Sequence, residues 1–417
     1  MFIRTSQLKL KASLFVAGSL LCFPLLPNVA HAQQTQSITM TRSVGGPGAN
    51  STMVSKRSLE KYCDILGLAA DQRETALTMH SGYAAAYETC EKARREALDE
   101  VRRVSEDSGD QTVFIERLPK IDRAFNESTT QLEKEFFSDF KAILSELSQE
   151  DAWVKVERAR RREVGLRMGA LSGESVDLID LVNTLKLDEA STKNLTIVLE
   201  TYETELDRLL QTRLNKKNDE NDWAPGKPLD MEKIQESMKV SREGGMKVRE
   251  VNRENARKIQ DLLPESKRPD FESAFEKASF PRVFRTPRIM KDIDASFKLS
   301  DLEPAQKTEI EEIKGGYERE LVAANKRWAK AIEESESTGD SGGTLGGPGS
   351  RMTLMFGEEA QELKDARKTR RELDEKTNER LRKVLTESQR EKLPKPSPDD
   401  EDAMAVPGRG MMIRRTE

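Results

Sequence analysis

Residues 299–332 read "LSDLEPAQKTEIEEIKGGYERELVAANKRWAKAI". From Leu302 to Gln306 the composition is that of a helix start, and Pro304 suits the first helical position, where a missing N–H costs nothing. Beyond it Ile310, Ile313, Tyr317, Leu321, Ala324, Trp328 and Ile332 recur at threes and fours. That spacing places them on one stripe of a helix and leaves the charged residues on the other side. So long a stripe requires a partner helix, so the stretch predicts a seam between paired helices.

The same order occurs twice more. "LGLAADQ" from Leu66 and "LKLDEAS" from Leu185 also precede long charged stretches with a tyrosine on the apolar side, and Leu68 to Tyr83, Leu187 to Tyr202 and Leu302 to Tyr317 each span 15 residues. A second set of leucine-led starts follows at Leu147 ("ILSELSQED"), Leu263 ("IQDLLPESK") and Leu385 ("RKVLTESQR"). The first set is spaced by 119 and 115 residues and the second by 116 and 122, which marks a tandem design. Mid-unit, "SEDSGDQT", "KKNDENDWAPGKPLD" and "ESESTGDSGGTLGGPGSR" are rich in Gly, Pro, Ser and Asp and should end the outgoing helix. The expected fold is all-α: three tandem antiparallel helical hairpins, each followed by a short helix, with coiled-coil-like seams. The expected repeats are 57–170, 171–290 and 291–396, with a flexible segment over 33–56 and a flexible basic tail over 397–417. "GGPGAN" and "GGPGSR" read as connections, the latter lacking the Lys and Ser/Thr of a phosphate-cradling loop.

The leucine-led starts are the candidate site. Thr386 and Gln389 have the form of a capping box, in which the hydroxyl accepts a first-turn N–H and the glutamine reaches back. Leu385 then stands outside the helix and can be buried. Ser148 with Asp151, after Leu147, and Asp188 with Ser191, after Leu187, keep a cap-forming first residue. Leu302 and Gln306 flank Pro304, while Leu68 with Gln72 and the stretch from Leu263 are degraded versions. A stereotyped helix start accounts for all of these without a ligand.

The N-terminus reads as an export signal over residues 1–32. Arg4, Lys9 and Lys11 precede an apolar core from Ser13 to Leu26, and Ala30-His31-Ala32 forms a small-residue cleavage site. Pro24 and Pro27 interrupt the apolar run before it reaches the ~20 residues a membrane span needs, so no stable span is expected after cleavage. The mature chain would carry 66 Lys and Arg against 74 Asp and Glu, an acidic balance that argues against a nucleic-acid partner. Charged residues make up 34% and aromatics 5%, too little for a large globular core but enough for thin helical pairs. After residue 32 only Cys63, Cys90 and His80 remain of their types, which leaves no disulfide framework and no His/Cys zinc cluster. No catalytic residue, cofactor or metal is expected.

Paired Leu-Thr-x-x-Gln-like starts, one opening the outgoing helix and one after the returning helix, behind an export signal in an all-helical, charge-rich chain, resemble the Spy family of periplasmic stress proteins. "LTESQ" matches that motif literally, and "LEPAQ" and "LAADQ" keep its leucine and glutamine. The resemblance implies curved helical cradles and ATP-independent holding of unfolded clients in an oxidising envelope compartment. The His-rich segments of zinc-linked members are absent here.

The expected function is therefore an exported, periplasmic, cofactor-free helical protein that binds unfolded or envelope polypeptides. The alternative is a coiled-coil spacer or assembly component of the envelope, and self-association fits either. Met352, Met355, Met411 and Met412 would suit an adaptable binding surface. Three basic stretches, from Arg158, Arg282 and Arg409, either guide acidic clients or are linkers whose charges pair with acidic neighbouring helices.

Overall fold

A computed structural model describes residues 53–395 except 111, 168, 220–230 and 339–359. The export segment, most of the 33–56 segment, the tail over 397–417, the four methionines named above and the basic stretch from Arg409 lie outside the described residues. Within them the chain is all-helical, with no strand, and no helix there is long and apolar enough to cross a membrane.

The first core gathers α1 (Lys56–Ile65), α2 (Ala70–Ser108), α3 (Thr112–Ala142) and the start of α4 (Leu147–Leu166). Gly109, at φ 69°, ends α2 in the left-handed conformation that glycine adopts without strain. α3 then runs back along α2: Tyr83 stacks on Phe136 at 4.8 Å, Tyr87 meets Phe125 at 6.0 Å, and Arg94 pairs with Asp122 at 2.7 Å. The second core joins α5 (Leu178–Thr184), α6 (Glu189–Asp219), α7 (Met231–Leu262) and α8 (Arg268–Ser279). The third joins α9 (Arg288–Ser296), α10 (Pro304–Thr338) and α11 (Gln361–Val384), and α12 (Glu387–Glu391) closes it.

The tyrosines placed 15 residues after their leucines all face these cores: Tyr83, Tyr202 and Tyr317 are buried. Burial obliges each hydroxyl to find a partner. Tyr83 Oη accepts the Val54 N–H at 3.2 Å, and Tyr202 Oη accepts the Leu178 N–H at 3.3 Å while donating to Asn252 Oδ1 at 3.0 Å. His80 Nε2 lies 2.7 Å from Val54 O, so both backbone groups of that fully buried valine are held. Tyr317 instead donates to Asp374 Oδ1 at 2.5 Å, across the α10–α11 seam. Burial raises the Tyr202 pKa well above the ordinary phenol range.

Three expectations need correction. The segment 33–56 is not flexible to its end, because Val54 is hooked into the first core and Lys56 opens α1. The boundary at 290 cuts α9, a short helix that packs against α10 and α11. The basic stretch from Arg158 is not a linker, although its charges pair with acidic neighbours as one of the two expectations had it. It is the second half of α4, which has no Gly or Pro before Gly165 to stop it, and its arginines meet carboxylates of other helices. Arg160 pairs with Glu133 at 2.7 Å, Arg161 with Asp207 at 2.7 Å, and Arg162 with Asp177 at 3.3 Å and with Glu203. Burial works against the charge on Arg162, yet Asp177 and Glu203 outweigh it and hold its pKa above the ordinary guanidinium value. α4 thus belongs to two cores: Trp153, Val156 and Ala159 fill the first and Leu166 the second. Gly165 permits this approach, since a Cβ there would sit 2.9 Å from Leu210 Cδ2.

Candidate functional site: paired helix starts

Gln389 and Gln306 face each other where α12 and α10 begin. Gln389 Oε1 accepts the Thr386 N–H at 2.9 Å, and Thr386 Oγ1 accepts the Gln389 N–H at 3.3 Å, which completes the capping box. Gln389 Nε2 then donates to Asp301 O at 2.8 Å and to Gln306 Oε1 at 3.1 Å. Gln306 answers in kind: its Oε1 accepts the Glu303 N–H at 3.0 Å, and its Nε2 donates to Val384 O at 2.7 Å and Gln389 Oε1 at 3.0 Å. Each amide caps its own helix and ties down the backbone leading to the other. Both amide groups have partners at the oxygen and at the nitrogen, so the desolvation of the 2%-exposed Gln389 is offset by hydrogen bonds at both ends of its amide.

The first pair of helix starts repeats the arrangement. Gln72 Oε1 accepts the Ala69 N–H at 3.1 Å, and its Nε2 donates to Ile143 O at 2.9 Å and to Gln149 Oε1 at 3.1 Å. Gln149 returns a bond to Gln72 Oε1 at 3.0 Å and accepts the Ser145 N–H at 3.0 Å. In the second, Ser191 and Lys267 stand at the corresponding positions, and the clasp is replaced by two separate contacts. Asp188 accepts the Ser191 N–H at 2.7 Å, which holds its carboxyl below the usual carboxylate range, and Lys267 Nζ reaches Leu185 O at 3.1 Å.

Leu68, Leu263 and Leu385 are buried beside these starts, and Leu187 and Leu302 are half-buried against their cores. Leu147 is the exception at 74% exposed. Gln149 is the reason: by taking the Ser145 and Glu146 N–H groups it sets the start of α4 so that Glu146 is the cap. Ser148 therefore lies in the first turn and does not cap, and Leu144, three residues before Leu147, packs on the core instead. Truncating Leu385 to alanine should cost about 2–5 kcal/mol of stability, whereas Leu147→Ala should change it by less than about 0.5 kcal/mol. Urea denaturation of the two variants checks this.

Sequence reasoning passed over Gln149 and a recurring arginine. Arg73, Arg268 and Arg390 each donate Nε to the carbonyl of the leucine five residues earlier, Leu68, Leu263 and Leu385, at 2.9, 3.0 and 3.0 Å. The signal was present as Gln-Arg or Lys-Arg after each of those starts. Neutral amides and a guanidinium bonded to backbone carbonyls supply neither an acid nor a nucleophile, so what this arrangement does is fix geometry. Among the described residues no cluster of three His, Cys, Asp or Glu side chains is placed to hold a metal ion. Comparison of the chain with protein families, with curated proteins and with solved structures finds no match.

Proposed function

We propose that this chain is an exported, periplasmic, cofactor-free protein built from three tandem copies of one helical-hairpin design, akin to the Spy family, and that it binds other polypeptides through charged helix faces. The observation that carries the reading is the glutamine clasp, which joins the start of the outgoing long helix to the helix after the returning one in two of the copies. Three of its four glutamines, Gln72, Gln306 and Gln389, belong to the motifs on which the resemblance rests, and the clasp gives them one shared task. Large exposed apolar side chains among the described residues are Met53, Leu147, Val154, Ile197, Leu262 and Val322, spread over four helices and the lead-in to α1. Exposed apolar side chains in this number are ordinary on a protein surface. Contact with clients is therefore assigned to polar faces, and no residue is assigned a catalytic role.

The test is aggregation of a reduced client protein with and without the purified mature chain. Suppression at stoichiometric amounts is expected, and it should weaken as salt screens the charged faces. No suppression at a large excess would favour the second reading, a spacer of the envelope, which the scattered apolar residues also support.

A further inference from the structure

Three arginines of α7 meet the tip of α10. Arg242 Nη2 donates to the carbonyls of Glu336 and, at 3.1 Å, Ser337. Arg249 Nη1 lies 3.1 Å from Glu336 Oε2, and Arg253 pairs with Glu333. From the loop between α4 and α5, Ser172 gives Glu336 its backbone N–H at 2.9 Å and its hydroxyl at 2.6 Å. The apolar cores on either side share no residue, so these contacts are polar and ionic. Two glutamates three residues apart, Glu333 and Glu336, concentrate negative charge here. The tip is an acidic ligand in all but name.

The fit is incomplete. Arg249 is 5% exposed, yet its Nε has no hydrogen-bond partner among the described residues, and neither has the buried Nε of Arg242. An orphaned buried donor destabilises the arrangement that leaves it so. A guanidinium grips a carboxylate best with two parallel N–H bonds, which this occupant does not allow at Arg249. Glu174, the other carboxylate beside α7, is already held by the Ala170 and Leu171 N–H groups at 2.7 and 2.9 Å and by Arg213, so it does not compete for the stripe.

We propose that Arg242, Arg249 and Arg253 form a docking surface for an acidic polypeptide segment, and that the Glu333–Glu336 tip of α10 occupies it in cis as an autoinhibitory stand-in. This deepens the polypeptide-binding reading by naming the chemistry of one partner. Its failure is distinguishable from failure of that reading, because client aggregation does not report on the stripe.

The probe is a fluorescein-labelled, alanine-based helical peptide whose last turn carries two glutamates three residues apart. Fluorescence anisotropy compares its binding to the full chain and to the Glu333→Gln/Glu336→Gln chain. At least about tenfold tighter binding to the double variant is expected, and adding Arg249→Met should remove the gain. Equal affinity for both chains overturns the proposal. A measurement without variants decides independently: amide exchange at Ser172, whose N–H is bonded to Glu336, should rise when the peptide is added at saturating concentration, while exchange in the α6–α7 seam stays unchanged. Unchanged exchange at Ser172 on saturation also overturns it.

Discussion

Arg162→Ala lowers the unfolding free energy by about 3–5 kcal/mol, the largest effect expected of any single substitution considered for this chain. Arg162 is 5% exposed and lies between Asp177 and Glu203. Removing it takes the ion pair from Asp177 and leaves Glu203 only the longer contact to Arg158, at 3.7 Å. The comparison is Arg103→Ala, whose ion pairs with Glu100 and Asp107 lie on the exposed face of α2 and should contribute less than about 1 kcal/mol. Urea denaturation of both variants gives the result. Equal small losses would mean that the stretch from Arg158 is the solvated linker its composition suggests.

Gln389→Ala should lose about 2–3 kcal/mol. The substitution strands the Thr386 N–H and Asp301 O and takes both inter-amide bonds from Gln306. Gln306→Ala should cost somewhat less, since Gln306 is the more exposed of the two. The decisive quantity is the coupling. If the two amides act as one clasp, the double variant loses less than the sum of the singles by about 1–2 kcal/mol. Strict additivity would reduce the clasp to two unrelated helix caps.

Much of the fold was legible because its cues are local. The 15-residue step from leucine to tyrosine located three buried side chains, and the Thr386–Gln389 cap formed as its residues require. What escaped was either too short or too distant. α1, α5 and α9 span 10, 7 and 9 residues, too few turns for an apolar stripe to stand out. Pairing of the α4 arginines with acidic neighbouring helices was among the expectations, but their place inside a helix and the identity of distant partners were not, since Glu133, Asp207 and Glu203 lie 27, 46 and 41 residues away from Arg160, Arg161 and Arg162 in turn. Gln149 was hidden by Ser148, a better cap former by type, because capping preference describes one helix end in isolation. A second helix end, contributed by Gln72, decided the register.

The α6–α7 pair lacks the glutamine clasp, and it is also the pair gripped by α4 on one side and by the tip of α10 on another. Neighbours that supply restraint from outside remove the need for a helix pair to close on itself. Substitutions at Asp188, Ser191 and Lys267 would then stay silent while both neighbours are in place and become damaging once either is weakened. In genetic terms, the α6–α7 pair is buffered and the clasped pairs α2–α3 and α10–α11 are not.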